Sequence, residues 1–211
     1  VGTIGAGPSG LLLSQLLHVH GIESVVLERQ TPEYVLSRIR AGVIEHGLVA
    51  LMHKAQAGER IAREGLVHEG FNIISNNNQF RIDLKALTGG SVVTVYGQTE
   101  ITRDLMDART ATNGQLVYEV SDVQIHDLKS KQPRLSYKKE GKNHEIICDF
   151  VVGCDGYHGV SRKSIPENAL RIFERDYPFG WLGLLSNTQP VSEELVYVNH
   201  ENGFALCSQR S

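Results

Sequence analysis

The opening of the chain changes hydrophobic period twice. Residues 1–4 are a short apolar run, residues 9–20 place Leu at helical spacing until Gly21 stops them, and residues 24–28 return to an apolar run that ends in an acid. The pattern predicts strand, helix and strand within about thirty residues, the size of a βαβ unit. Helical patterns follow over residues 43–54 and again from Thr99 through Leu105 to Ala111, with the Thr99 hydroxyl placed to cap a turn containing Glu100. The period then becomes two. Residues 116–120, 123–128, 134–138 and 145–152 are predicted as short strands between polar turns, an antiparallel meander leading into a buried strand. Three more strands are expected, at residues 181–185, 195–199 and 204–208, in a second sheet whose boundary lies between residues 164 and 178.

Composition narrows the class. The chain has 211 residues, 41% hydrophobic and 21% charged, the balance of a globular protein with a sizeable core. Lys and Arg total 21 against 24 for Asp and Glu, a net charge of -3, so no basic field draws the chain to nucleic acid or an anionic membrane. The apolar stretch at residues 11–17 is too short to span a bilayer and has no basic flank, the first Lys or Arg being Arg29. Cys148, Cys154 and Cys207 form no CxxC and cannot all pair, which points to a reducing, cytoplasmic setting. No His, Cys, Asp and Glu grouping has metal-ligand spacing, so no metal is expected. Val1 stands close to the first glycine turn and Ser211 follows an apolar run without a cap, so a fragment of a longer protein is expected.

The first candidate site is Gly5-Ala6-Gly7-Pro8-Ser9-Gly10, between predicted strand and helix. A pyrophosphate needs backbone N–H groups at a helix N-terminus, where the macrodipole also favours anions. Gly5 permits the tight turn, Gly7 the approach of the phosphates, and Gly10 the packing of helix on strand. Pro8 costs no hydrogen bond at that position. Glu28, at the end of the next strand, is placed to accept ribose hydroxyls. Together these predict a dinucleotide site, without separating FAD from NAD.

A second segment, Val151-Val152-Gly153-Cys154-Asp155-Gly156, brings an apolar strand to an acid and a close turn at a sheet's carboxyl edge. Taken alone it is a common strand-ending Asp-Gly turn. The glycine turn, Glu28-Arg29, Arg38-x-Arg40 and this segment have the order and spacing of the single-component flavoprotein aromatic hydroxylases, which the chain resembles. Ser37-Arg38-Ile39-Arg40-Ala41-Gly42-Val43, Tyr96-Gly97-Gln98-Thr99-Glu100, Tyr177-Pro178-Phe179-Gly180-Trp181-Leu182-Gly183 and Gly203-Phe204-Ala205-Leu206-Cys207-Ser208-Gln209-Arg210-Ser211 are similar to members acting on 4-hydroxybenzoate. The similarity runs along essentially the whole chain, and the family continues beyond Ser211 with a second FAD motif and a helical part.

The resemblance implies an α/β fold. Residues 1–165 become a Rossmann-like FAD-binding domain, with a helical insert and β-meander at about 43–150, and residues 166–211 begin a mostly antiparallel substrate-binding sheet. It implies FAD contacts from Gly5, Gly7, Ser9, Gly10, Glu28, Arg38, Ile39, Arg40, Ala41, Gly42, Val43, Gln98 and Asp155. Arg38 and Arg40, one residue apart on an extended segment, point to the same side and could clamp a diphosphate. NADPH is expected as electron donor, near Arg29, Tyr34, His158 and Arg162.

Period two places Phe204, Leu206, Ser208 and Arg210 on one strand face, and an aromatic carboxylate needs apolar walls and a guanidinium fork. The resemblance makes Ser208, Gln209 and Arg210 substrate ligands. It also makes Tyr197 the group that meets the substrate phenol, and His68 the outer end of a proton relay, a task suited to a histidine pKa near neutrality. The implied reaction is NADPH-dependent hydroxylation of 4-hydroxybenzoate by O2 to 3,4-dihydroxybenzoate through a flavin C4a-hydroperoxide, in a longer protein that could be a homodimer. A related phenol hydroxylase or flavin reductase, and a non-catalytic nucleotide-binding fragment, are the rival readings. The chain by itself is expected to hydroxylate little.

Overall fold

The computed structural model describes residues 1–38, 42–76 and 78–210. They form two compact units, residues 1–67 with 92–164 and Arg210, and residues 68–91 with 165–209.

The first unit opens with β1 (Gly2–Ile4), α1 (Pro8–Val19), β2 (Val25–Leu27) and α2 (Pro32–Ser37). It continues through β3 (Val43–Glu45), α3 (His46–Lys54), α4 (Glu59–Glu64) and β4 (Leu66–His68), whose last residue begins the second unit. The second unit takes β5 (Gly70–Ser75), β6 (Asn78–Asp83) and α5 (Leu84–Leu87). The chain returns to the first with β7 (Val93–Val95), α6 (Gln98–Ala111), β8 (Gln115–Val117), β9 (Ser121–His126), β10 (Arg134–Lys139), β11 (Lys142–Ile147), β12 (Val151–Gly153) and α7 (Val160–Lys163). The second ends on β13 (Leu195–His200) and β14 (Gly203–Cys207).

In the first unit a parallel sheet runs β12-β1-β2-β8. Helix α1 starts at Pro8, whose fixed φ suits a first turn, and stops where Gly21 (φ 71°) turns left-handed. The Gly21 and Ile22 N–H groups close the end on the carbonyls of His18 and Leu17, both at 2.9 Å, a Schellman arrangement. Alternation along β2 sends neighbours to opposite faces. Val26 joins Leu11, Met52, Ile101 and Leu105 on the helical side. Leu27 joins Ile4, Val120, Leu135 and Cys148 under the meander β11-β10-β9. A smaller sheet, β3-β7-β4, completes the unit.

The α/β class and the βαβ opening are as expected, and several details differ. Residues 43–45 are a strand rather than a helix start, because Val43 pairs with Val95. Residues 145–152 divide between the meander strand β11 and the parallel strand β12, and β8 joins the parallel sheet. Helix α6 begins under Gly97 with no side-chain cap, so the Thr99 hydroxyl does not serve there. Residues 181–185 form no strand among the described residues, where no strand pairs with them, and Trp181, Leu182, Leu184 and Leu185 stay exposed.

The second unit is a mixed sheet, β14-β13-β5-β6, with β13 and β5 parallel and the other pairs antiparallel. Strands β5 and β6 come from residues 68–91, a stretch whose pattern had left it within the first region. Their pairing with β13 over more than a hundred residues of chain is a tertiary choice that local periodicity does not encode.

Leu105 on α6 is fully buried in the larger core. Leu105→Ala is expected to cost about 2–5 kcal/mol of stability, measured by urea denaturation.

Candidate functional site

The glycine turn is shaped by backbone contact. Gly5 has φ 104°, and a Cβ there would sit 2.4 Å from the Cys154 carbonyl oxygen. A Cβ on Gly10 would lie 2.0 Å from the Gly5 carbonyl oxygen, so strand, turn, helix and the end of β12 meet with no room for side chains. Gly7 is the opposite case, with nothing within 4 Å of its added Cβ. Its open side and the unshared N–H groups of the first turn of α1 form a cradle that fits a pyrophosphate. Ser9 is exposed beside it.

Glu28 is tied into the turn by two backbone donors. Its Oε2 accepts the Ala6 N–H at 2.9 Å and its Oε1 the Gln30 N–H at 2.9 Å, tying the glycine turn to the end of β2. A carboxylate has about four acceptor sites, so ribose hydroxyls can still be received.

At the end of β12, the Cys154 N–H donates to the Ile4 carbonyl at 2.7 Å. Asp155 Oδ2 accepts the Ser161 N–H at 3.0 Å, and a Cβ on Gly159 would collide with the Asp155 carboxyl at 2.0 Å. Asp155 thus holds its own loop closed onto α7. The Ser161 hydroxyl is buried with no hydrogen-bond partner among the described residues. The Arg162 guanidinium lies over the Tyr157 ring at 3.9 Å, and Tyr157 meets the exposed His158 ring edge-on at 5.0 Å. Burial, then the Asp155 charge, pushes the Cys154 thiol up.

Gly42 meets Tyr96 and Gly97 where β3 and β7 pair. The Tyr96 N–H donates to the Gly42 carbonyl at 2.7 Å, and a Cβ on Gly42 would meet Gly97 Cα at 2.8 Å and Arg210 Nη1 at 3.0 Å. Gln98 opens α6, and Val43 opens β3. Ile39, Arg40 and Ala41 lie outside the described residues. Arg38 is exposed at the end of α2, as are Arg29 and Tyr34 nearby in sequence.

Beneath Gly97 is a network that sequence patterns missed. The Tyr96 hydroxyl donates to Asp104 Oδ2 at 2.7 Å and accepts from Arg60 Nε at 2.9 Å, while Arg60 also pairs with Glu100. Burial is the main force raising both Tyr96 and Asp104 above their ordinary pKa values. Arg60 lies dozens of residues from Tyr96, Glu100 and Asp104, and only the Tyr96-Gly97-Gln98 segment gave any signal.

In the second unit, Tyr197 on β13 lies edge-on to Phe71 at 5.3 Å and 6.3 Å from the Phe204 ring. It pairs across the sheet with Leu206. Strand β14 ends at Cys207, opposite Val196, so the strand face predicted through Ser208 and Arg210 stops short. The Ser208 hydroxyl turns to the Gln209 carbonyl at 3.1 Å. His68 is 1% exposed, and neither ring nitrogen has a hydrogen-bond partner among the described residues. Burial pulls its pKa down, with the Glu194 charge opposing, so the ring is neutral near neutral pH.

Among the described residues no cluster of His, Cys, Asp and Glu could hold a metal, and no helix is long and apolar enough to cross a membrane.

The glycine cradle, its acid and the parallel sheet define a dinucleotide-binding fold, and the chain belongs to the FAD binding domain family, which matches residues 1–211. It is similar to the p-hydroxybenzoate hydroxylase of Acinetobacter baylyi, at 51% identity over 100% of this chain and 52% of that protein. The chain therefore spans about half of that relative, to which the resemblance seen in its motifs extends. A probable NADH-specific resorcinol 4-hydroxylase of Rhodococcus jostii is 25% identical over 77% of this chain and 32% of its own length. Among solved structures, the flavin-dependent halogenase CmlS aligns over 100% of this chain and 39% of its own, with a TM-score of 0.71 and 18% identity, a likeness of fold alone.

Two outcomes are expected. Gly10→Ala forces the added methyl into the Gly5 carbonyl and should lower both thermal stability and FAD retention, read by flavin absorbance after gel filtration; full flavin retention would contradict the cradle. For His68, the folded pKa lies below the ordinary 6.5, so its contribution to stability is complete above 6.5 and is lost as pH falls through the folded value. His68→Gln should flatten that acid loss in denaturation curves taken below about pH 6.5.

Proposed function

We propose that this chain is the FAD-binding and substrate-recognising portion of an NADPH-dependent monooxygenase. The overall change is 4-hydroxybenzoate, O2, NADPH and a proton to 3,4-dihydroxybenzoate, water and NADP+. The observation that carries this reading is the 51% identity to a p-hydroxybenzoate hydroxylase along the whole chain, on a fold whose glycine turn fits a pyrophosphate. Residues 1–165 serve as the FAD domain and residues 166–211 begin the substrate domain.

Bound FAD, reduced by NADPH, supplies the activation of O2. The chain's own residues do the rest. Gly5, Gly7, Ser9 and Gly10 receive the pyrophosphate on backbone N–H groups, Glu28 takes the ribose, and Arg38 through Val43, Gln98 and Asp155 complete the contacts. Arg29, Tyr34, His158 and Arg162 receive NADPH. Ser208, Gln209 and Arg210 bind the substrate carboxylate, Arg210 as a two-pronged donor.

Tyr197 accepts a hydrogen bond from the substrate phenol and passes its proton toward His68, the residue that the resemblance makes the outer end of the relay. A phenolate is the stronger nucleophile at its ortho carbon, so proton removal raises reactivity where oxygen is added. Three free cysteines accord with a cytoplasmic setting, and a homodimer is the expected assembly of the whole protein.

The test is NADPH oxidation by the purified flavoprotein with and without 4-hydroxybenzoate. Stimulation with formation of the dihydroxy product is expected, and a protein that neither binds nor responds to 4-hydroxybenzoate overturns the substrate assignment. A preference for NADH would move the donor toward that named in the resorcinol hydroxylase. Arg210→Lys should raise KM by about 10- to 100-fold, the loss of one charge-assisted contact, with kcat less affected. Tyr197→Phe should instead lower kcat by roughly 10- to 100-fold.

A further inference from the structure

The strand that carries Tyr197 has a register problem. Strand β13 pairs in parallel with β5, Leu195 with Phe71 and Tyr197 with Ile73. The two strands lie more than a hundred residues apart, so no hairpin turn fixes their alignment. The apolar pattern does not fix it either. Leu195 and Val196 are both buried and Tyr197 and Val198 both half-buried, so the strand has no polar face that a one-residue slip would bury. Such a slip would still carry Tyr197 to the other side of the sheet.

One carboxylate addresses the alignment directly. Glu194, immediately before β13, accepts the Gly70 N–H at 2.9 Å on Oε1. The same carboxylate takes a two-pronged contact from Arg81 on β6, Nη2 to Oε1 at 2.8 Å and Nε to Oε2 at 2.7 Å. The neighbouring strands β13, β5 and β6 are thereby tied at one end. Gly70 is required for this, since an added Cβ would lie 2.8 Å from Arg81 Nη2 and 2.3 Å from the Ile82 carbonyl oxygen. Arg81 and the Gly70 N–H hold the Glu194 carboxyl below its usual range, so the carboxylate stays charged. Arg81 also reaches Asp83, which fixes the guanidinium from its other side at 3.2 Å. Gly70 lies two residues beyond His68, and the Glu194 charge acts on that ring.

We propose that Arg81 and Glu194 are positioning residues: their clamp on the Gly70 N–H sets the register of the Tyr197 strand against the strand leaving His68, and so aligns the proton path between those two side chains. The catalytic half rests on the relay reading of Tyr197 and His68 given above; the register half does not.

The experiment uses the flavin-loaded holoenzyme with Glu194→Gln, Arg81→Met and Arg81→Lys, and with His68→Gln as the reference for the relay. Two quantities are read: amide hydrogen exchange over residues 195–199, and the rate at which bound 4-hydroxybenzoate loses its phenol proton, followed by phenolate absorbance after a pH jump. In Glu194→Gln and Arg81→Met, exchange should quicken and proton loss slow, each by about 10-fold, with flavin content unchanged. Arg81→Lys keeps the charge without the fork and should fall between. Unchanged exchange in both Glu194→Gln and Arg81→Met overturns the clamp. Faster exchange with normal proton loss, while His68→Gln slows that loss, leaves a structural pair and overturns the positioning role. Normal proton loss in His68→Gln overturns the relay reading and with it the catalytic half, while exchange still decides the register.

Discussion

The approach of three backbone segments at Gly5, Gly10 and Cys154 governs the first unit. The added Cβ distances at Gly5 and Gly10 are shorter than any real contact, so α1 can lie on β1 and β12 only because both positions lack side chains. From that contact follow the placement of the α1 N-terminus beside the sheet's carboxyl edge, the open side at Gly7, and the layer in which Leu11 and Val26 are buried. The anion cradle is therefore a by-product of how closely helix and sheet are packed.

Charge is then arranged around that cradle with little help from the chain as a whole, which is slightly acidic. Helix N–H groups and the macrodipole provide the attraction. Glu28 places a negative charge close by, and its two backbone donors, Ala6 and Gln30, stabilise the carboxylate there. The same acid thus fixes the turn and remains available to a sugar. The second unit uses the reverse design. Its ordering contacts are side-chain contacts, with Glu194 and Arg81 at the end of the sheet and the Phe71, Tyr197 and Phe204 rings along it. Flavoproteins with different named activities share the fold at low identity, so the fold alone does not choose the chemistry.

Much of the first unit was legible because its information is local. The Gly5, Gly7 and Gly10 spacing, Pro8, Gly21 and the terminal acid Glu28 each act within a few residues or one βαβ unit, and they marked strand, helix and strand almost to the residue. The FAD binding domain family followed from longer motifs of the same kind. Where a strand's fate depends on its partner, the linear pattern failed. Residues 43–45 look helical until Val95 pairs with Val43, and residues 181–185 look like a strand but have none to pair with among those described.

Sequence by itself determined the strand, glycine turn, helix and strand at the start of the chain, because backbone sterics and turn chemistry are properties of short segments. Tertiary structure alone decided that Glu28 holds the Ala6 N–H, that His68 is buried without a partner among the described residues, and that Arg60 reaches Tyr96 and Asp104. It also decided that residues 68–91 pair with the strand of Tyr197. Burial and long-range pairing are set by which surfaces meet, and no periodicity along the chain records that.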